Sequence, residues 1–91
     1  AYLSDDERQR AVTLSRSLFA AQDAVAAKGR VPWTGQRRKI VKALEDAGLV
    51  VDYVEAVEAD TLRPVKALVK GVAVLLAVYC GKTRLIDNAV M

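Results

Sequence analysis

Lys82 and Arg84, set around the turn in Gly81-Lys82-Thr83-Arg84, are the cations of this chain best placed to do chemistry. Cations fixed beside a rigid strand end attract phosphate, and the Gly81-Lys82-Thr83 triplet imitates the end of a phosphate-binding loop. The imitation is incomplete. The first glycine of such a loop would stand five residues before Gly81, where the chain has Leu76. The other glycines, Gly29, Gly35, Gly48 and Gly71, are single residues with no G-x-G-x-x-G spacing.

The carboxylates offer a second set. Asp5, Asp6 and Glu7 stand where a helix begins, and the positive end of the helix dipole accounts for them. Asp52 beside Tyr53 and Asp87 beside Asn88 interrupt apolar runs, where a carboxylate requires a cation or several donors. Arg84 is the candidate partner for either, so a structural ion pair explains these residues without a substrate. With no histidine and one cysteine, Cys80, the chain lacks the parts of a Ser-His-Asp or Cys-His nucleophile system, an imidazole metal site and a thiolate zinc site. No catalytic and no metal-ligating residue is expected. The run Arg37-Arg38-Lys39, with Lys42 one turn later, has no interleaved aromatics. Tyr2, Phe19, Trp33, Tyr53 and Tyr79 are dispersed, mostly onto expected core positions, unlike a base-stacking platform. A solvated helix face is the expected use of that run, whose functional role the sequence leaves unassigned.

Composition sets the frame for these residues. Ninety-one residues that are 53% hydrophobic can fill one modest core and no second one. Fourteen Lys and Arg against eleven Asp and Glu leave a net charge of +3 without a long run of one sign, so nucleic acid is not the expected partner. The longest apolar run, Val72 to Cys80, is far short of the roughly 20 residues that span a bilayer, and the first residues do not read as a basic segment followed by an apolar one. A lone cysteine ending an apolar run suits a reducing cytoplasm.

The elements that must position the candidates follow from local patterns. Ser4 with Glu7 reads as a capping box that starts a helix. Its apolar stripe is Ala11, Leu14, Leu18, Ala21 and Val25, widened by Val12 and Phe19, and it ends at Lys28-Gly29. Val31-Pro32-Trp33 breaks the helix, and Thr34 is the expected N-cap of a second one that buries Ile40, Val41, Leu44 and Ala47 before Gly48 stops it. Arg37, Arg38 and Lys39 near its start and Glu45 and Asp46 near its end oppose the helix dipole, so packing must hold it. Leu49 to Val57 alternates imperfectly, as a strand does. Val72 to Cys80 has no polar alternation and reads as the central strand, buried on both faces. Gly81-Lys82 is then a tight turn of the Gly-first kind, returning Thr83 to Val90 as an antiparallel strand. The expected fold is α+β, with two helices packed on a small, about three-stranded, mainly antiparallel sheet in a single domain over residues 1–91.

Gly81-Lys82-Thr83-Arg84-Leu85-Ile86-Asp87-Asn88 resembles the Gly-x-Thr-Arg-Leu-Ile-Asp-Asn ending of the pantothenate synthetase (pantoate–β-alanine ligase) family. Tyr2-Leu3-Ser4-Asp5-Asp6-Glu7-Arg8 resembles the Tyr-Leu-Ser-x-x-Glu-Arg segment that follows the family's Ser-Arg-Asn nucleotide loop. Leu14 to Leu18, Val51-Asp52-Tyr53-Val54-Glu55 and Asp60-Thr61-Leu62 are similar to family segments in the same order. The resemblance implies a C-terminal lid domain without its N-terminal nucleotide-binding domain, which carries the family's catalytic motifs. It implies that the parent enzyme uses ATP and Mg²⁺ to join pantoate and β-alanine through a pantoyl-adenylate, works as a homodimer, and takes its N-terminal domain as the partner of this one. The chain alone would be inactive, and Lys82 and Arg84 would be its only residues able to touch bound phosphate. The competing reading is a free-standing basic interaction module for nucleic acid or another anion. A continuous basic stripe would favour that module, and an uncovered apolar face would favour a missing partner domain.

Overall fold

The computed structural model describes residues 5–91, apart from the side chains of Asp6 and Glu7. The expected Ser4 capping box lies outside the described residues. Helix α1 (Asp5–Lys28) buries Leu14, Leu18, Ala21 and Val25 in the core. Gly29 ends it with φ 76°, its N–H donating to the Val25 carbonyl at 2.7 Å. Val12 and Phe19 do not widen the buried stripe, because at about 100° of turn per residue they fall roughly 130–150° from its centre. Both are exposed, Phe19 at 60%.

After α1, β1 (Val31–Pro32) leads directly into α2 (Trp33–Asp46). Thr34 is not the N-cap: the helix begins two residues earlier than that cap would start it, behind Pro32 with φ −58°, and no side chain caps it. A strand supplies what the cap would have supplied. The Trp33 N–H donates to the Lys66 carbonyl at 2.9 Å, where β1 runs antiparallel to β3 (Ala67–Leu68). Trp33, Gln36, Ile40 and Leu44 form the buried face of α2, with Val41 and Ala47 half-buried. The first turn carries no acid and the last no base, so the expected mismatch with the dipole is present. At the far end, Gly48 (φ 80°) donates to the Glu45 carbonyl and Leu49 to the Leu44 carbonyl, the paired bonds of a Schellman turn. Leu49 therefore belongs to the turn, and β2 starts one residue later than the alternation suggests.

The main sheet has the order β2-β4-β5, all antiparallel: β2 (Val50–Glu58), β4 (Val72–Cys80) and β5 (Thr83–Val90). The irregular alternation of β2 has a physical cause. Val51 pairs with Val78 and Tyr53 with Ala77, so Asp52 is the extra residue of a bulge. Beyond β2, residues 59–66 fold back along its outer edge. Glu58 N–H donates to the Arg63 carbonyl, Val65 N–H to the Ala56 carbonyl, and Leu62 holds the turn at φ 60°.

Val72, Val74, Leu76, Val78 and Cys80 of β4 join both helices in one core. The alternate residues, Ala73, Leu75, Ala77 and Tyr79, lie on the opposite face, outside that core. Central placement of the strand is as expected, but burial on both faces is not its full state. Ala73 and Ala77 are small and sit between cross-strand neighbours Val57 and Val90, Tyr53 and Ile86. Tyr79 remains 39% exposed.

The turn from β4 to β5 holds Gly81 at φ 60°, with nothing within 4 Å of where a Cβ would be. The demand is thus on the backbone alone. Gly81→Val should lower stability by about 1–2 kcal/mol, whereas Gly81→Asn, which tolerates the left-handed region, should cost less. Denaturant midpoints of the two variants check this; equal midpoints would contradict it.

Candidate functional site

The candidates around the turn are positioned by the register of three strands. Arg84 pairs with Tyr79 on β4, and Tyr79 pairs on its other side with Val50 of β2. Asp52, pushed out by the bulge, stands across β4 from Arg84. The Arg84 side chain reaches over the central strand, donating from Nε at 3.2 Å and from Nη2 at 3.0 Å to the same carboxylate oxygen, Oδ2 of Asp52. Its guanidinium carbon lies 5.9 Å from the Tyr53 ring centroid, within cation–π reach. The hydrogen bond to Asp52 holds the Arg84 pKa above its ordinary value, with attraction to Asp52 and the nearby tyrosines adding to it. Both partners are more than a third exposed, so the pair orders this corner more than it stabilises the fold.

Of the two carboxylates weighed as partners for Arg84, the structure joins it to Asp52. Asp87 instead receives the Asn88 N–H at 2.8 Å and a long bond, 3.4 Å, from the Ser15 hydroxyl. Lys82 projects at the turn, exposed, and makes no hydrogen bond or ion pair with any described residue. The structure thus brings Arg84, Asp52, Tyr53 and Tyr79 together and leaves Lys82 beside them.

The basic run of α2 does not form a uniform stripe. Arg37 Nε donates to the Val54 carbonyl at 3.1 Å, pinning α2 to β2. Lys42 pairs with Asp46 at 2.8 Å, a hydrogen bond that raises the lysine pKa. The Arg37 contact was hidden in the sequence, since nothing local distinguishes it from Arg38. Between the helices a hollow of about 110 Å³ is lined by Ser17, Gln36 and Lys39 together with Ala20, Ile40 and Ala43, and the buried Ser17 hydroxyl has no partner among the described residues. No group of three His, Cys, Asp or Glu that could hold a metal stands together among the described residues. No described helix is long and apolar enough to cross a membrane.

The helices and sheet that carry this polar corner are shared with known proteins. The family model for pantoate-beta-alanine ligase matches residues 1–90. A pantothenate synthetase of Anaeromyxobacter dehalogenans is 48% identical over 97% of this chain and 30% of its own length. A pantoate–beta-alanine ligase of Oryza sativa subsp. japonica is 42% identical over 96% of this chain and 28% of its own. The crystal structure of pantothenate synthetase from Thermus thermophilus superposes with a TM-score of 0.72 at 30% identity, over 97% of this chain and 32% of that one. The chain therefore spans about 30% of the length of the curated relatives it matches. With the family model covering all but the last residue, and the same helices and sheet present in a solved relative, the chain belongs to the pantoate–β-alanine ligase family.

Proposed function

We propose that residues 1–91 are the C-terminal lid and scaffold domain of an ATP-dependent pantoate–β-alanine ligase, closing over the active site of an N-terminal nucleotide-binding domain. The observation that carries this reading is a match along the whole chain to about 30% of each relative. The chain's own chemistry agrees with it. The chain's glycines stand singly without phosphate-cradling spacing, which accords with ATP and Mg²⁺ being held by the rest of the enzyme. The domain's work is then mechanical and electrostatic. By closing, it keeps water from an acyl-adenylate and orders the cleft, without giving an acid, a base or a nucleophile.

Lys82, exposed at the turn, is free to approach a bound phosphate when the lid closes, while Arg84, engaged by Asp52, orders the strand ends beside it. The parent enzyme is read as a cytoplasmic homodimer. No observation favours the basic-module alternative, because Arg37 and Lys42 are engaged within the domain.

The test is a chimera in which residues 1–91 replace the matching segment of the Anaeromyxobacter dehalogenans enzyme. It should form pantothenate from pantoate, β-alanine and ATP, while the 91-residue chain alone should neither do so nor bind ATP in calorimetry. A chimera that folds but is inactive, or micromolar ATP binding by the isolated chain, would overturn the reading.

A further inference from the structure

The sheet has a face that the domain does not cover. A strand with helices on one side ordinarily alternates apolar and polar residues, yet β4 is apolar on both sides. On the open side, Ile86 is 59% exposed, Val90 56% and Tyr79 39%, with Leu75 and Tyr53 half-buried beside them and exposed Glu55 and Asn88 flanking Leu75. Arg84, held by Asp52, borders this patch at one end.

The edges of the sheet are partly occupied. The outer edge of β2 is bonded by residues 63–65. On β5, Gln22 Nε2 donates to the Val90 carbonyl and Asp87 Oδ1 accepts the Asn88 N–H. A partner approaching this sheet can therefore meet its open face, with β5 remaining as an edge strand beside it.

We infer that this open face is the surface against which the remaining part of the ligase packs; the inference rests on the domain assignment proposed above. The relatives are roughly three times the length matched here, so in such an enzyme a larger body is tethered to this domain. Tethering raises its effective concentration to roughly the millimolar range, which favours it over a second copy of the chain. The face is apolar towards its ends, with Tyr79 and Ile86 at one and Val90 at the other, and polar in its middle row, where exposed Glu55 and Asn88 flank Leu75. The matching surface must therefore offer polar partners at its centre and an acceptor near Arg84, because Nε and Nη2 of Arg84 are directed at Asp52 while other guanidinium N–H groups remain. The exposed Val12 and Phe19 of α1 are a weaker candidate. They stand among exposed Arg8, Gln9 and Arg16 as scattered surface hydrophobics.

The experiment places Ile86→Lys and Phe19→Lys separately in the chimera and measures kcat/KM for pantothenate formation. Thermal melting and sedimentation of the isolated 91-residue variants accompany it. Ile86→Lys should lower kcat/KM at least tenfold while leaving the melt of the isolated chain in place, and Phe19→Lys should leave both unchanged. If Ile86→Lys unfolds the isolated chain, Val90→Lys carries the same test. An active chimera indifferent to the sheet-face lysine, or one silenced by Phe19→Lys instead, overturns the docking face while the domain assignment stands. An isolated chain that sediments as a dimer and is split by Ile86→Lys makes a second copy the occupant and also overturns it. A folded but inactive parent chimera removes both the assignment and the docking face.

Discussion

Removing the segment that matches this chain from the Anaeromyxobacter dehalogenans pantothenate synthetase should lower its rate of pantothenate formation by about a hundredfold or more. A lid acts through contacts made in the closed state, and misplacing reacting groups by about 1 Å already costs on the order of a hundredfold. The loss should fall on kcat rather than on KM for ATP, because the chain's single, widely spaced glycines form no phosphate-cradling loop. Restoring the segment with residues 1–91 should recover most of the rate. Steady-state kinetics of the intact, truncated and chimeric enzymes check both parts. A truncated enzyme that keeps its kcat would show that the domain is dispensable.

The largest effect expected on the domain itself is from Leu76→Ala. Leu76 is fully buried at the middle of β4, paired with Val54 and Asp87, and belongs to the core shared by both helices. Truncating it leaves a cavity that strands on both sides prevent from collapsing, so the loss should be about 2–5 kcal/mol. For a domain of this size, total stability is of the order of 5–14 kcal/mol, so the variant loses a large part of it. Ile86→Ala, on the open face of the same sheet, should cost no more than about 1 kcal/mol in the isolated chain. Urea midpoints with unchanged slopes would establish the contrast; equal losses would mean that the open face is part of the isolated domain's core.

What the sequence made legible is what local chemistry decides. Gly29, Gly48 and Gly81 end their elements with positive φ, and the spacing of Leu14, Leu18, Ala21 and Val25 marks the buried side of α1. The Gly81-Lys82 turn likewise fixes β4 beside β5. What was hidden depends on distant partners. Thr34 looks like a cap, but the Lys66 carbonyl, far along the chain, meets the Trp33 N–H and lets α2 start earlier. Arg37 is one of three adjacent cations until β2 brings the Val54 carbonyl to it. Asp87, three residues from Arg84 on one strand, falls on the opposite face by alternation alone, whereas the bulge that brings Asp52 to the Arg84 side is not visible in the sequence. The apolar character of both sides of β4 was plain in the sequence, whereas only the sheet shows that this domain covers just one of them.

The central claim, that this domain shields a reactive acyl-adenylate, is tested most directly by the yield of AMP against pantothenate during turnover. In the intact enzyme and in the chimera carrying residues 1–91, the two products should form in step, because the closed cleft passes the adenylate to β-alanine before water reaches it. In the truncated enzyme, AMP should run well ahead of pantothenate as water intercepts the uncovered adenylate. If the truncated enzyme still forms adenylate and the two products remain in step, the domain does not act as a lid.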